Sequence, residues 1–349
     1  MVCSYSITAL FMVLLLNCNV GNTTDILDIR DEYNTVIKYA AIILFSLALL
    51  YNTVSNVLMA ILFCCGRNSF YSHSFVLISS QLIICNFLNF IPQVIIVLFE
   101  MLKTEIDAYM STWAHSIFAT IDTFSFLATL HFTFFLAVNR LVVLSLPKFS
   151  VFFESAKFYF LIACVWLSVL VISLTEFHYC FKTFNVSNLQ WSFNCTKTTV
   201  KSGAIFLKIR YIWTLALPIA MFSLYIPIFW NMRRKRNSVL DLRRTSGNIA
   251  GTKLKSTTNN GKYERSMLIQ AAVVCGAMEI EIICFYFLPQ FAAKLAGKEA
   301  GIPINIFINC YVIFNGAVLP TVNLIFFKRF RNEVKRTIIE LSSRINNMK

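Results

Sequence analysis

Charge is what this chain has least of. Asp, Glu, Lys and Arg make up 14% of its 349 residues while 57% are hydrophobic, a balance that excludes a soluble protein and implies one that crosses a membrane several times. Acids are the scarcer sign, 17 against 31 basic residues for a net charge of +14. Other absences narrow the chemistry. The Cys64-Cys65 pair has no second cysteine pair or histidine nearby, so it lacks the ligands of a zinc site. No half of the chain is duplicated, as a carrier built from internal repeats would require. No nucleophile, base and metal ligands converge, so neither catalysis nor a cofactor is expected. No cysteine follows Cys310, so palmitoylation cannot anchor the tail.

What is present is long apolar runs. Seven reach the ~20 residues needed to cross ~30 Å of hydrocarbon as helix: Tyr39 to Gly66, Phe75 to Phe99, Trp113 to Val138, Phe158 to Thr175, Tyr211 to Met232, Met267 to Ala293 and Ile302 to Phe327. The expected fold is therefore all-α, a seven-transmembrane helix bundle over residues 37–327. An earlier run, Ile7 to Leu16, is too short to span. It reads as the core of a signal peptide over residues 1–20, although the usual preceding basic residue is missing.

Basic residues orient the bundle. Arg140 closes the third run, ten Lys and Arg lie between Arg233 and Arg265, and seven more between Lys328 and Lys349. The positive-inside rule puts these in the cytoplasm and residues 21–36 outside. The excess then points to anionic lipid and a cytosolic partner rather than nucleic acid. The sequons at Asn22, Asn185 and Asn194 all fall on outer segments, as glycosylation requires. Cys180 and Cys195 share an outer loop, where a disulfide can persist. The segment 231–266 is basic and then rich in Gly, Ser, Thr and Asn, which predicts a flexible loop. Over 328–349, Phe330, Val334 and Ile338 recur at helical spacing among basic residues, the pattern of an amphipathic helix lying on the inner leaflet.

Polar residues inside the spans are the candidates for function. Ser80, Gln81 and Asn86 should face other helices, and Pro92 should kink the second span. Asp122 precedes Arg140 by 18 residues, about 27 Å and five turns, so both share one helical face with the acid near the outer end. Asp122 reads either as the counter-ion of a ligand amine or as a hydrogen-bond partner of neighbouring side chains. Glu279 and Glu281 are about 200° apart and cannot share a face. The three membrane acids have no evident basic partner.

These features resemble a rhodopsin-type G-protein-coupled receptor over roughly Tyr39 to Arg336. Asn56 is similar to the first-helix asparagine, Asn139-Arg140-Leu141 to the Asp/Glu-Arg-Tyr switch and Trp166 to the fourth-helix tryptophan. Pro218 corresponds to the fifth-helix proline, Tyr286-Phe287-Leu288-Pro289 to the Cys-Trp-x-Pro hinge, and Leu319-Pro320-Thr321-Val322-Asn323 to the Asn-Pro-x-x-Tyr stretch. Asn139 replaces the acid, and His115 stands where a cysteine usually opens the third span, so the usual loop-to-helix disulfide is absent. Such departures, with the pieces S-F-V-L-I-S-S-Q-L-I-I-C-N, A-V-N-R-L and N-G-A-V-L-P-T-V-N, are most similar to class X of the nematode serpentine chemoreceptors.

The resemblance implies a chemosensory receptor in the plasma membrane, amino terminus outside, and a place in a sensory cilium. A small extracellular molecule (odorant, pheromone or amine) would bind near Asp122, Phe126, Tyr286 and Phe287. A heterotrimeric G protein would engage a switch of Asn139, Arg140, Pro289, Pro320 and Asn323. Hydrophobic ligands would suit the 34 phenylalanines as well as amines would suit Asp122. A transporter or channel with seven spans is the competing reading.

Overall fold

The computed structural model describes residues 29, 35–64, 72–102, 112–146, 157–195, 200–245, 251–297 and 300–347. The signal-peptide segment and Asn22 lie outside them. Six helices are long and apolar enough to span a membrane: α1 (Thr35–Cys64), α2 (His73–Leu102), α3 (Thr112–Ser145), α4 (Lys157–Tyr179), α5 (Val200–Thr245) and α6 (Gly251–Ala296). The seventh span is a bent pair, α7 (Gly301–Asn315) and α8 (Val318–Phe326), meeting at 61°. The amphipathic α9 (Lys328–Asn347) follows.

Apolar exposure accounts for the bundle form. Leu167, Phe222, Trp230 and Leu295 are each more than half exposed on outer faces, untenable in water but natural against lipid. α3 is the central helix: 61% of its apolar window is buried, against 22% for α4. Three cores surround it. One, near Arg140, contains Phe75, Phe132 and Phe158, a second lies at the opposite end around Phe45, Leu189 and Trp191, and a third joins α3, α5 and α6 through Leu130, Met221 and Met278.

The bends follow from particular residues. Pro92 has no N–H, and the helix after it widens into a π turn over Gln93–Leu98. Pro320 likewise leaves the carbonyl of Gly316, four residues earlier, without an intrahelical donor. That carbonyl instead accepts from Asn86 Nδ2 at 2.7 Å and Asn56 Nδ2 at 3.1 Å, while Asn86 also donates to Asn56 Oδ1 at 3.0 Å. A Cβ on Gly316 would fall 2.8 Å from the Asn52 amide, so any larger residue there must displace that side chain. At the turn into α9, Arg331 bonds the terminal carbonyls of Leu324 and Ile325, groups that the end of a helix leaves open.

One expectation is corrected. The described parts of 231–266 are helical rather than irregular: α5 continues to Thr245 and α6 begins at Gly251, because Leu, Lys and Arg within them sustain helix. The fold also holds one antiparallel hairpin, β1 (Phe181–Asn185) and β2 (Gln190–Asn194), with Thr183 opposite Ser192. In α9 the buried line is Phe330, Val334 and Thr337, with Ile338 half exposed.

Candidate functional site

The hairpin sits in one mouth of the bundle. A disulfide between Cys180 and Cys195 closes its base. Gly203 lets α5 pass the bridge, since a Cβ there would come within 2.8 Å of Cys195 Cβ. Its turn is fixed by α7, where Asn305 Nδ2 donates to Asn188 O and Asn309 Nδ2 to Leu189 O, both at 2.8 Å. Leu189 adopts φ +56°, unfavourable for a side chain with a Cβ, and its complete burial offsets that cost. Asn185 is exposed on the hairpin, and Asn194 is the last residue of β2.

Beneath the hairpin lies a chamber of about 740 Å³ including its open mouth, walled by α2, α3, α5, α6, α7 and both strands. Its lining combines apolar surface from Phe126, Trp191, Phe285 and Tyr286 with charged and amide groups, so a ligand would meet aromatic rings and polar groups together. Lys182, from β1, forms an ion pair with Asp122, and its ammonium lies 4.4 Å from the centroid of the Trp191 ring. Gln93 Nε2 donates to the other Asp122 oxygen at 3.1 Å. A second pair joins Arg210 to Glu176 at 2.9 Å, and Thr123 donates to Glu176 at 3.1 Å. Deeper in, Asn315 donates to Glu281, and a smaller cavity continues past Asn86, Thr129 and Gly316.

Of the four ligand residues expected from sequence, Asp122, Phe126 and Tyr286 line the chamber. Phe287 does not. It is 45% exposed on the outer face of α6, because one helical step of 100° carries it away from Tyr286; Phe285 takes the inward place. The expectation that Asp122 has no basic partner is also corrected, since Lys182 pairs with it, and its bond from Gln93 fits the alternative reading of a partner to neighbouring side chains. Lys182, Arg210 and Gln93 were missed as site residues. Arg210 and Glu176 each lie one residue outside the apolar run that defined their span, and the helices continue through both.

At the opposite end Asn139 and Arg140 are fully buried. Asn139 Nδ2 donates to Ser74 Oγ at 3.0 Å. The Arg140 guanidinium lies 4.5 Å from the Phe75 ring centroid and 3.6 Å from Met267 Sδ of α6. Gln270, one turn further along α6, donates to Asn323 at 2.9 Å. Asn139, Arg140 and Asn323 are thus gathered under the near end of α6. Pro289 lies beyond Tyr286 towards the hairpin, and Pro320 is buried in α8. Among the described residues no three His, Cys, Asp or Glu side chains are placed to share a metal ion.

The crystal structure of squid rhodopsin matches this architecture with a TM-score of 0.66, covering 88% of this chain and 86% of that one at 11% identity. The chain therefore has the seven-helix rhodopsin fold. No family model and no curated protein matches its sequence.

Proposed function

We propose that this multi-pass membrane protein is a G-protein-coupled receptor, a chemoreceptor of the nematode serpentine type most similar to class X. It resides in the plasma membrane of a sensory cilium with its amino terminus outside. A small extracellular molecule occupies the polar chamber, and a heterotrimeric G protein binds the ends of α3, α5 and α6 around Arg140. The basic segments near Arg233 and Lys328 face anionic lipid on the same side.

One observation carries this reading: α3 and α6 each take part in both sites. α3 contributes Asp122 to the chamber and, about 27 Å away, Arg140 to the far end. α6 contributes Tyr286 and Glu281 to the chamber and Met267 to the contact over Arg140. A ligand that shifts α6 changes its packing on Arg140, and a two-state element biased from two sites is what coupling requires.

The test is guanine-nucleotide exchange by a panel of heterotrimeric G proteins in membranes carrying the full chain, scanned with amine, zwitterionic and neutral probes. A probe-dependent rise that Arg140→Ala abolishes, with surface expression unchanged, supports the reading. Solute movement without any G protein would replace it with a transporter.

A further inference from the structure

The proposal above leaves the ligand's chemistry open, but the chamber wall constrains it. Its two ion pairs are internally balanced, two buried polar atoms have no hydrogen-bond partner, and one further carboxyl has no cation. Arg210 is 8% exposed and turns one guanidinium nitrogen to Glu176, while its Nε has no hydrogen-bond partner. Gln93, 3% exposed, donates to Asp122 through its amide nitrogen, and its Oε1 accepts nothing. Both residues line the chamber. Glu281, 5% exposed, receives the Asn315 amide but no basic side chain reaches it among the described residues. A buried carboxylate without a cation is expensive to keep charged.

The groups lie at different depths. Counting up α6 from Met267, which touches Arg140, Glu281 is 14 residues on, about 21 Å. Counting up α3 from Arg140, Asp122 is 18 residues on, about 27 Å. Glu281 therefore sits about 6 Å, one helical turn, below the layer of Asp122. Arg210 belongs to that upper layer, because its partner Glu176 accepts from Thr123, next to Asp122. The upper layer thus presents an open cationic donor and the floor a carboxyl without a cation.

We infer that the chamber takes a short zwitterion, its carboxylate on Arg210 Nε and its ammonium on Glu281. Asp122 holds Lys182 and the hairpin in place and is not the ammonium site. Gln93 Oε1 accepts a further donor from the ligand. This inference rests on the receptor reading only for its physiological meaning, since binding itself needs no G protein.

The experiment is saturation binding to membranes carrying the full chain, with 4-aminobutanoate and 6-aminohexanoate compared with hexylamine and hexanoate. At least one two-ended probe should bind saturably, at least about tenfold tighter than either one-ended probe, the factor expected of a charge-assisted bond. Glu281→Gln should reduce its affinity about tenfold or more and leave hexanoate unaffected. Arg210→Gln should do the reverse. Arg210→Lys, which keeps a cation for Glu176 but loses Nε, repeats that arm if the first variant fails to fold. Leu167→Ala, on the lipid face, should change nothing.

The inference is overturned if no two-ended probe binds saturably, if hexylamine binds as tightly, or if Glu281→Gln leaves affinity unchanged. Binding without nucleotide exchange would remove the receptor reading alone. Exchange driven by neutral probes without zwitterion binding would remove this inference alone.

Discussion

The two ends of the bundle are held by different forces. At the hairpin end a disulfide, two buried ion pairs and amide bonds from α7 fasten a lid over the chamber. At the Arg140 end the contacts of α6 with α3 and α8 include a thioether contact, an amide–amide bond and an apolar core containing Met267, Leu136 and Val322. Charge-assisted bonds in a dry interior are stiff and short-ranged, whereas a methionine side chain re-packs readily. On the receptor function proposed above, the hairpin end would serve as the frame and the Arg140 end as the part that moves. That asymmetry suits a protein which senses at one end and responds at the other.

The comparison can be broken most forcefully at the lid. Lys182→Ala strands Asp122 as a buried charge and should lower stability by about 3–5 kcal/mol, read as a fall in the melting temperature of the detergent-solubilised chain. Combining it with Asp122→Asn should recover much of that loss. If the double variant is no better than the single, the pair is not the fastening described here. Cys195→Ser removes a bridge between residues 15 apart and should destabilise by about 3 kcal/mol, with the same readout under non-reducing conditions.

Between the two ends, Gly316→Ala drives a methyl into Asn52 and should cost about 1–3 kcal/mol. Asn52→Ala in the same chain should relieve much of it, and an unchanged deficit would refute the steric account. At the movable end, Asn139→Asp puts a carboxylate beside Arg140 and should lower ligand-free nucleotide exchange about fivefold, equivalent to about 1 kcal/mol. Unchanged basal exchange would show that the missing acid has no bearing on the resting state. The smallest effect belongs to Arg336→Ala, which removes an exposed pair with Glu340 on α9 and should stay within about 0.5 kcal/mol.

The spans were legible because hydrocarbon demands long uncharged runs, and Pro92 marked a bend because proline lacks a donor, whereas the bend before Pro320 was not read from the sequence. The helical extensions of α5 and α6 were not, since Gly, Ser and Asn in 231–266 outweighed the helix formers between them. Asp122, Phe126 and Tyr286 could be found from spacing and resemblance. Phe287 was misplaced because matching a motif by its proline fixes depth in the membrane and not the rotation of each side chain. Lys182 stayed hidden for a different reason. It pairs with an acid 60 residues away, and only the hairpin, itself outside any apolar run, brings the two together.

In the receptor proposed above, occupancy of the chamber is felt at Arg140. The most direct measurement is guanine-nucleotide exchange in membranes carrying the full chain, with 6-aminohexanoate, hexylamine and a neutral odorant panel applied to the unaltered chain and to Arg140→Ala. A saturable rise is expected with at least one probe, absent in Arg140→Ala although that variant still binds the probe. A probe that binds the chamber and leaves exchange unchanged across the G-protein panel would contradict it.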